Sequence, residues 1–370
     1  MLLQVLLASF AAADASTTAA AANALLPDAE PAHHALHHSA LRPSHAGRSF
    51  TIAQIADVHL EGNAETDGAS LDSIRQMLDA HPKIDLAVLS GDQITAQHLD
   101  TAQLQTWASL TGVLAARNIP HTALLGNHDA EPYIPPGTHL DGDAYRAYQD
   151  GATGATAHVS REQLMDADAS QRLSHSSLSP AALRPASSAY ILDVLPHQNG
   201  TTPLLSIVHL DTGGGGTPEA IRATQARAVE QELAARRRLR AATRSPPPVL
   251  VFGHIPLHAF AAAWQEGQCW GEKRDVITPP HDGDGDTRIM RAIDASPEVV
   301  GVFAVRSSDR IRMAFASPAA CSFAAFDPRL SRATTTAMTF AADGVLLPCA
   351  TGVTRRRLAT PATTTRLACV

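Results

Sequence analysis

The order of elements in the sequence predicts an α/β fold built on a parallel sheet. Two observations carry this. Residues 49–130 alternate strand, helix, strand, helix, strand at regular spacing, the crossover pattern that parallel strands require. Each of these three strands also ends in coordinating side chains, and open α/β sheets place their ligands at strand carboxyl ends. With 370 residues, 45% of them hydrophobic, the chain can bury a sizeable core. Aromatics make up only 4%, so Ala, Val, Leu and Ile carry the packing.

The elements follow in order. "SFTIAQIADVHL" (49–60) reads as a buried strand with Asp57 and His59 at its end. "SLDSIRQMLDAH" (70–81) has helical spacing. "KIDLAVLSGDQIT" is a second strand, closing on Gly91 and Asp92. Residues 99–118 form a helix of period 3.6, and "IPHTALLGNHD" is the third strand. Residues 130–186, rich in Gly, Pro, Ser, Ala and Asp, read as an insertion over the site rather than a second core. "SSAYILDVL" and "PLLSIVHLDT" are two strands joined by a turn, the second running into "GGGG". Residues 218–243 form a long charged helix. "PPPVLVFGHIPLH" is a strand ending in glycine and histidine, and residues 287–305 give a short helix and a last strand.

The ends have a different character. Residues 1–24 are an apolar run followed by Ala-rich sequence. They read as a secretory signal cleaved near Ala13 or Ala24, or as a disordered leader, since no basic residue precedes the run. The run is too short to span a bilayer, so a secreted protein with no stable membrane insertion is expected. Residues 25–48 read as a His- and Ala-rich linker. Four scattered cysteines, Cys269, Cys321, Cys349 and Cys369, do not make a disulfide framework. Asn199-Gly200-Thr201 is a glycosylation acceptor sequence, and residues 269–273 are expected near the mouth of the site. "HDGDGD" (281–286) reads as a solvated loop and His258 as a histidine that is not a ligand.

Charge also divides the chain. The net charge of −7 gives no footprint for nucleic acid. From Arg306 onward there are nine Arg, three Asp and no Lys, Glu or His, so this segment is +6 and the rest −13.

The strand-end residues, collected in order, are Asp57-x-His59, Gly91-Asp92, Gly126-Asn127-His128-Asp129 and Gly253-His254. Carboxylates, an amide oxygen and imidazoles form a mixed oxygen and nitrogen ligand set suited to Mn, Fe or Zn. No cysteine joins it, which disfavours a structural zinc.

These four motifs, in this order, resemble those of the calcineurin-like metallophosphoesterases. "SGDQIT", "HLDTGGGG" and "FGHIPLH" resemble the purple-acid-phosphatase-like branch, without the tyrosine that colours the true purple enzymes. The resemblance spans about residues 49–304, within an expected domain of residues 49–305, and implies a four-layer αββα sandwich with two divalent or trivalent metal ions at the strand ends. It implies Asp57 and His59 as ligands of the first ion, Asp92 as the bridge, and Asn127 and His254 as ligands of the second. It further implies His128 as the residue that meets a phosphate oxygen or protonates the leaving oxygen, with Asp129 orienting it. The implied reaction is hydrolysis of a phosphate ester, from a phosphorylated small molecule or phosphoprotein, by a metal-bound hydroxide.

One motif of the family is missing. Its glycine-histidine-x-histidine, which gives each metal a further ligand, should follow "EVVGVFAV", but no histidine occurs after His281. Residues 306–370 are therefore expected to be an irregular, aberrant tail. A shifted reading frame accounts for it. "PCATGVT" can be encoded so that the neighbouring frame reads Leu-Cys-Tyr-Gly-Arg-His-Ser, which resembles the family's closing segment. The chain as written then stands as an active phosphatase, or as a catalytically impaired relic that binds phosphorylated ligands without turnover.

Overall fold

A computed structural model of the chain describes residues 3–11, 36–43, 49–135, 137–140, 142–149, 159–198, 200–242, 247–265, 283–305, 313–316, 333–340, 346–348 and 367–369. Residues 269–273, Asn199, Cys321 and Cys349 lie outside them.

Two sheets face one another. In the first, β3 (Ser49–Ala56), β4 (Leu86–Ser90) and β5 (His121–Leu124) run parallel. Beyond β3 lie β1 (Leu3–Ala11), antiparallel to it, then β11 (Ala333–Phe340) and β12 (Leu346–Pro348). In the second, β7 (Leu205–His209), β8 (Val249–Gly253) and β9 (Val299–Ala304) run parallel. One edge adds antiparallel β6 (Tyr190–Val194) and then β2 (His37–Leu41); the other adds β10 (Met313–Ala316) and β13 (Leu367–Cys369).

Period-two alternation sorts each strand between two cores. Ile52, Leu86, Val88 and Leu124 point toward the second sheet, where they meet Leu192, Ile207, Leu250 and Phe252. Their neighbours Ala53, Ile55, Ala87, Leu89 and Ala123 face outward. There they meet α1 (Ala64–Ala80) and α2 (Gln103–Ala115), with Ile74, Leu78, Trp107 and Leu110. On the far side Ile191, Val208, Val249 and Val251 meet α5 (Ala223–Ala242), α6 (His258–Gln265) and α7 (Gly283–Asp294), through Val229, Leu233, Phe260 and Ile289. Helix, sheet, sheet, helix is thus written into alternate residues of the strands. Each fully buried branched or aromatic side chain stabilises the stack by about 1.5–3 kcal/mol.

Several expectations change in detail. The segment expected as a linker contains β2, because Leu36 and Leu41 are buried and its backbone finds a parallel partner in β6. The 130–186 insertion holds α3 (Gly142–Gln149) and α4 (Arg161–Ala169), and Leu164 and Met165 join the first core. Residues 283–286 form the first turn of α7 rather than a loop, and buried Asp286 accepts from the His258 backbone N–H. After Val305 the expected irregular tail contributes four short strands. Threonine-rich β11 suits extended backbone, and edge strands need only backbone pairing.

Candidate metal centre

The carboxyl ends of β3, β4 and β5 and of β8 meet at the seam between the sheets. The loops after β3 and β4 are laced together by backbone bonds: Asp57 N–H to Gly91 O (3.1 Å), His59 N–H to Asp92 O (3.0 Å) and Leu60 N–H to Gln93 O (3.0 Å). Asp57, His59 and Asp92 all have positive φ, near 54°, 51° and 52°, a rare conformation for residues with a Cβ. Such strain persists where surrounding contacts over-determine it, and it clusters at functional sites.

Three imidazoles converge on one oxygen. Asp92 Oδ2 lies 2.9 Å from His254 Nε2, 3.9 Å from His59 Nε2 and 4.0 Å from His128 Nε2. Asp57 Oδ1 is 3.9 Å from the same His59 nitrogen. Ligand atoms of Asp57, Asp92 and His254 lie within 4.8 Å of one another, and all three residues are buried. Asn127, on the loop after β5, is buried, its Oδ1 without a hydrogen bond. His59 and His128 line the open side, their side chains about a quarter exposed.

Glycines make room for this convergence. A Cβ on Gly91 would sit 2.5 Å from the His254 ring, and one on Gly126 would sit 2.1 Å from Asp92 Oδ1. Gly214, with φ near 90°, brings the "GGGG" turn against Asn127, where a Cβ would meet its Cα at 2.4 Å.

The fit to metal can be tested on hydrogen bonds. His254 Nδ1 faces the Ser90 carbonyl at 3.1 Å, so its proton belongs there and Nε2 carries the lone pair. That lone pair points at a carboxylate oxygen 2.9 Å away, two acceptors face to face. Asp92 Oδ2, His254 Nε2 and Asn127 Oδ1 are all buried without a hydrogen bond. Buried acceptors in this arrangement are costly unless a cation lies among them. The residues present therefore fit a metal. Asp92 Oδ1 instead accepts from the His128 backbone N–H at 2.8 Å, so Oδ2 alone faces the ligand zone.

Electrostatics agree with this geometry. Burial opposes the charge of Asp92, but facing His254, His128 and His59 outweigh it and hold the carboxyl well below its usual range. Burial lowers His59, partly offset by Asp92. It also works against a charged His254, yet Asp92 leaves that group raised, so a proton on Nε2 competes with a metal ion for the place between the two atoms. Burial, helped by the charge of Asp92, pushes Asp129 up to about 6 against its backbone donors.

The role expected of Asp129 is corrected. Its two oxygens accept four backbone N–H groups: Asp92 (2.9 Å), Gln93 (2.7 Å), Ile94 (3.1 Å) and Gly126 (2.7 Å). A carboxylate so engaged braces the β4 and β5 loops. The group beside His128 is Glu131, whose Oε2 lies 2.8 Å from Nδ1. The sequence signal was present in a carboxylate three residues past the histidine, but the adjacent aspartate concealed it.

A second support was also hidden. Buried Arg161, at the start of α4, donates to Gly126 O (2.6 Å) and to Asp211 Oδ1 (2.7 Å). Asp211 in turn accepts from the Ser187, Ser188 and Gly213 backbones. This pair ties the insertion, the Asn127 loop and the glycine turn into one piece. His258 is half exposed, with its Nδ1 2.9 Å from Asp286 Oδ2.

The calcineurin-like phosphoesterase family model matches residues 50–279, well over half the chain, and the chain belongs to that family. Phosphoester hydrolysis is the activity this membership supports. A dimetal phosphatase from Danio rerio is similar at 14% identity, with 70% of this chain and 80% of that chain covered and a TM-score of 0.39. A purple acid phosphatase, PPD1, from yellow lupin (Lupinus luteus) seeds is similar at 14% identity, with 63% and 37% covered and a TM-score of 0.31. No curated protein matches.

Proposed function

We propose that the chain hydrolyses phosphomonoesters with two bound divalent or trivalent metal ions, Mn, Fe or Zn. The observation that carries this reading is the convergence of His59, His128 and His254 on the single oxygen Oδ2 of Asp92. Asp57, His59 and Asp92 would hold one ion; Asp92, Asn127 and His254 would hold the other. Bound cations neutralise the ester's charge and acidify the attacking water. His128, on the open side with Nε2 toward the ligand zone, hydrogen-bonds a phosphate oxygen or gives a proton to the leaving oxygen. Asp129 keeps the loops in register. The substrate is a phosphorylated small molecule or a phosphoprotein; the net charge of −7 speaks against nucleic acid.

The test is release of phosphate from p-nitrophenyl phosphate and from its bis-ester by the metal-loaded chain. Faster turnover of the monoester supports the reading, and full activity of Asp92→Ala contradicts it.

The impaired reading has its own observation. β9 ends at Ala304 and Val305 N–H is bonded to His254 O (3.0 Å), so this strand end reaches the centre with no histidine to offer. Three protein ligands per ion still suffice for catalytic sites with open positions, which favours the enzyme. Metal stoichiometry separates the two: one ion or none favours a non-catalytic binder.

The apolar start supports a place in the secretory pathway. No described helix is long and apolar enough to cross a membrane. Cleavage near Ala13 would remove β1, which pairs with both β3 and β11. The N-terminal mass of the protein made in a secreting host decides whether β1 remains. We also read residues 49–305 as the domain and the tail as frame-shifted; transcript reads that keep the present frame throughout would refute the latter.

A further inference from the structure

We infer that Glu131 is the residue that positions His128, and that Tyr145 of the insertion holds Glu131 in place for this task. The inference rests on the phosphatase reading for its kinetic consequence, and on geometry alone for the contact. Glu131 is buried, and its two oxygens are divided between two partners. Oε2 lies 2.8 Å from His128 Nδ1. Oε1 accepts from the Tyr145 hydroxyl at 3.0 Å. Tyr145 belongs to α3, and Tyr148, one turn on, donates its hydroxyl to the Tyr133 carbonyl, so the helix is fastened twice to the chain that follows His128.

The consequence lies in the two ends of the imidazole. With its Nδ1 2.8 Å from Glu131 Oε2, the ring is held so that its Nε2 faces Asp92 Oδ2 and the ligand zone. A histidine that transfers a proton must present Nε2 there, within hydrogen-bond reach of the reacting oxygen. The ring also meets His59 edge to face, with centroids 5.1 Å apart, so a rotated His128 would press on a ligand. The insertion thereby acquires a role: by way of Tyr145 and Glu131 it sets the pose of the proton-carrying group. Asp129, its oxygens filled by backbone N–H groups, is not placed to do so.

The experiment uses the full chain, labelled with 15N-histidine and loaded with diamagnetic zinc. His128 is identified as the signal lost in His128→Gln. We expect its Nδ1 to carry a hydrogen-bonded proton. That signature should persist in Glu131→Gln, which keeps an acceptor oxygen, and vanish in Glu131→Leu. Tyr145→Phe should weaken it. The same variants are then assayed on an aryl phosphate with a good leaving group and on an alkyl phosphate with a poor one. Losing an aligned proton donor should cost Glu131→Leu on the order of 100-fold in kcat on the alkyl ester and much less on the aryl ester. Glu131→Gln should restore part of the difference, with zinc content unchanged throughout.

An unprotonated Nδ1 in the parent chain, or a His128 signature that Glu131→Leu leaves intact, overturns the inference. Equal loss on both esters with unchanged zinc also overturns it, since that is what a merely structural glutamate would give. A parent chain inactive on both esters contradicts the phosphatase reading instead, and the resonance readout then judges the contact separately.

Discussion

His254 Nε2 stands 2.9 Å from Asp92 Oδ2 while its Nδ1 is committed to the Ser90 carbonyl. The two residues come from different sheets, so this single contact joins the layers at the metal centre. It also sets two acceptors against each other, an arrangement that a cation relieves.

Metal should therefore stabilise the fold. At a hundredfold excess over Kd, a ligand that binds only the native state contributes about 2.7 kcal/mol. We expect Zn or Mn to raise Tm, and a chelator to reverse the rise. In Asp92→Asn the added metal should leave Tm unchanged. Differential scanning calorimetry with and without metal reads this directly.

Gly91→Ala should damage the centre without touching a ligand. Its φ is near 95°, and the new Cβ would meet the His254 ring at 2.5 Å. Gly214→Ala should displace Asn127 in the same manner. Both variants should fold less stably and lose metal affinity, measured by competition against a chromophoric chelator.

The buried Arg161–Asp211 pair gives a sharper stability test. Removing one partner leaves a buried charge uncompensated, at a cost of about 3–5 kcal/mol. Arg161→Met should show that loss in urea denaturation. Asp211→Asn added to it should cost less than the two single changes together, because the groups share one interaction.

His209 supplies the pH dependence. It is fully buried, its Nε2 is 2.9 Å from the Thr122 hydroxyl, and its ring stacks on Tyr190 with centroids 4.2 Å apart. Burial lowers its pKa to about 3, against 6.5 for the free side chain. Below 6.5 the unfolded state therefore binds the extra proton. Its contribution to stability is complete above pH 6.5 and falls as pH drops toward 3, by up to about 1.4 kcal/mol per pH unit. His209→Gln should flatten the stability profile in that window. An unchanged slope would contradict the assignment.

The strand ends were legible because function stands apart from packing there. Asp57, His59, Asp92, Asn127, His128 and His254 interrupt apolar runs that need no polar residue, and the structure brings Asp57, Asp92 and the three histidines together. The αββα layering was legible only through the resemblance, since alternation along a strand shows two buried faces without saying what covers each. Arg161 and Glu131 were hidden because their partners lie far away in sequence or behind a more conspicuous neighbour. β2 was hidden by its histidines, which mark an exposed edge and so mimic a linker. Asp129 was misassigned because adjacency to His128 says nothing about where a carboxylate at a tight turn points.

The most direct measurement is calorimetric titration of zinc into the full chain and into Asp92→Asn. We expect two ions to bind the parent chain and neither site to survive intact in the variant. A parent chain that binds no zinc, or an Asp92→Asn chain that binds it equally well, would contradict a centre built on the Asp92 oxygen.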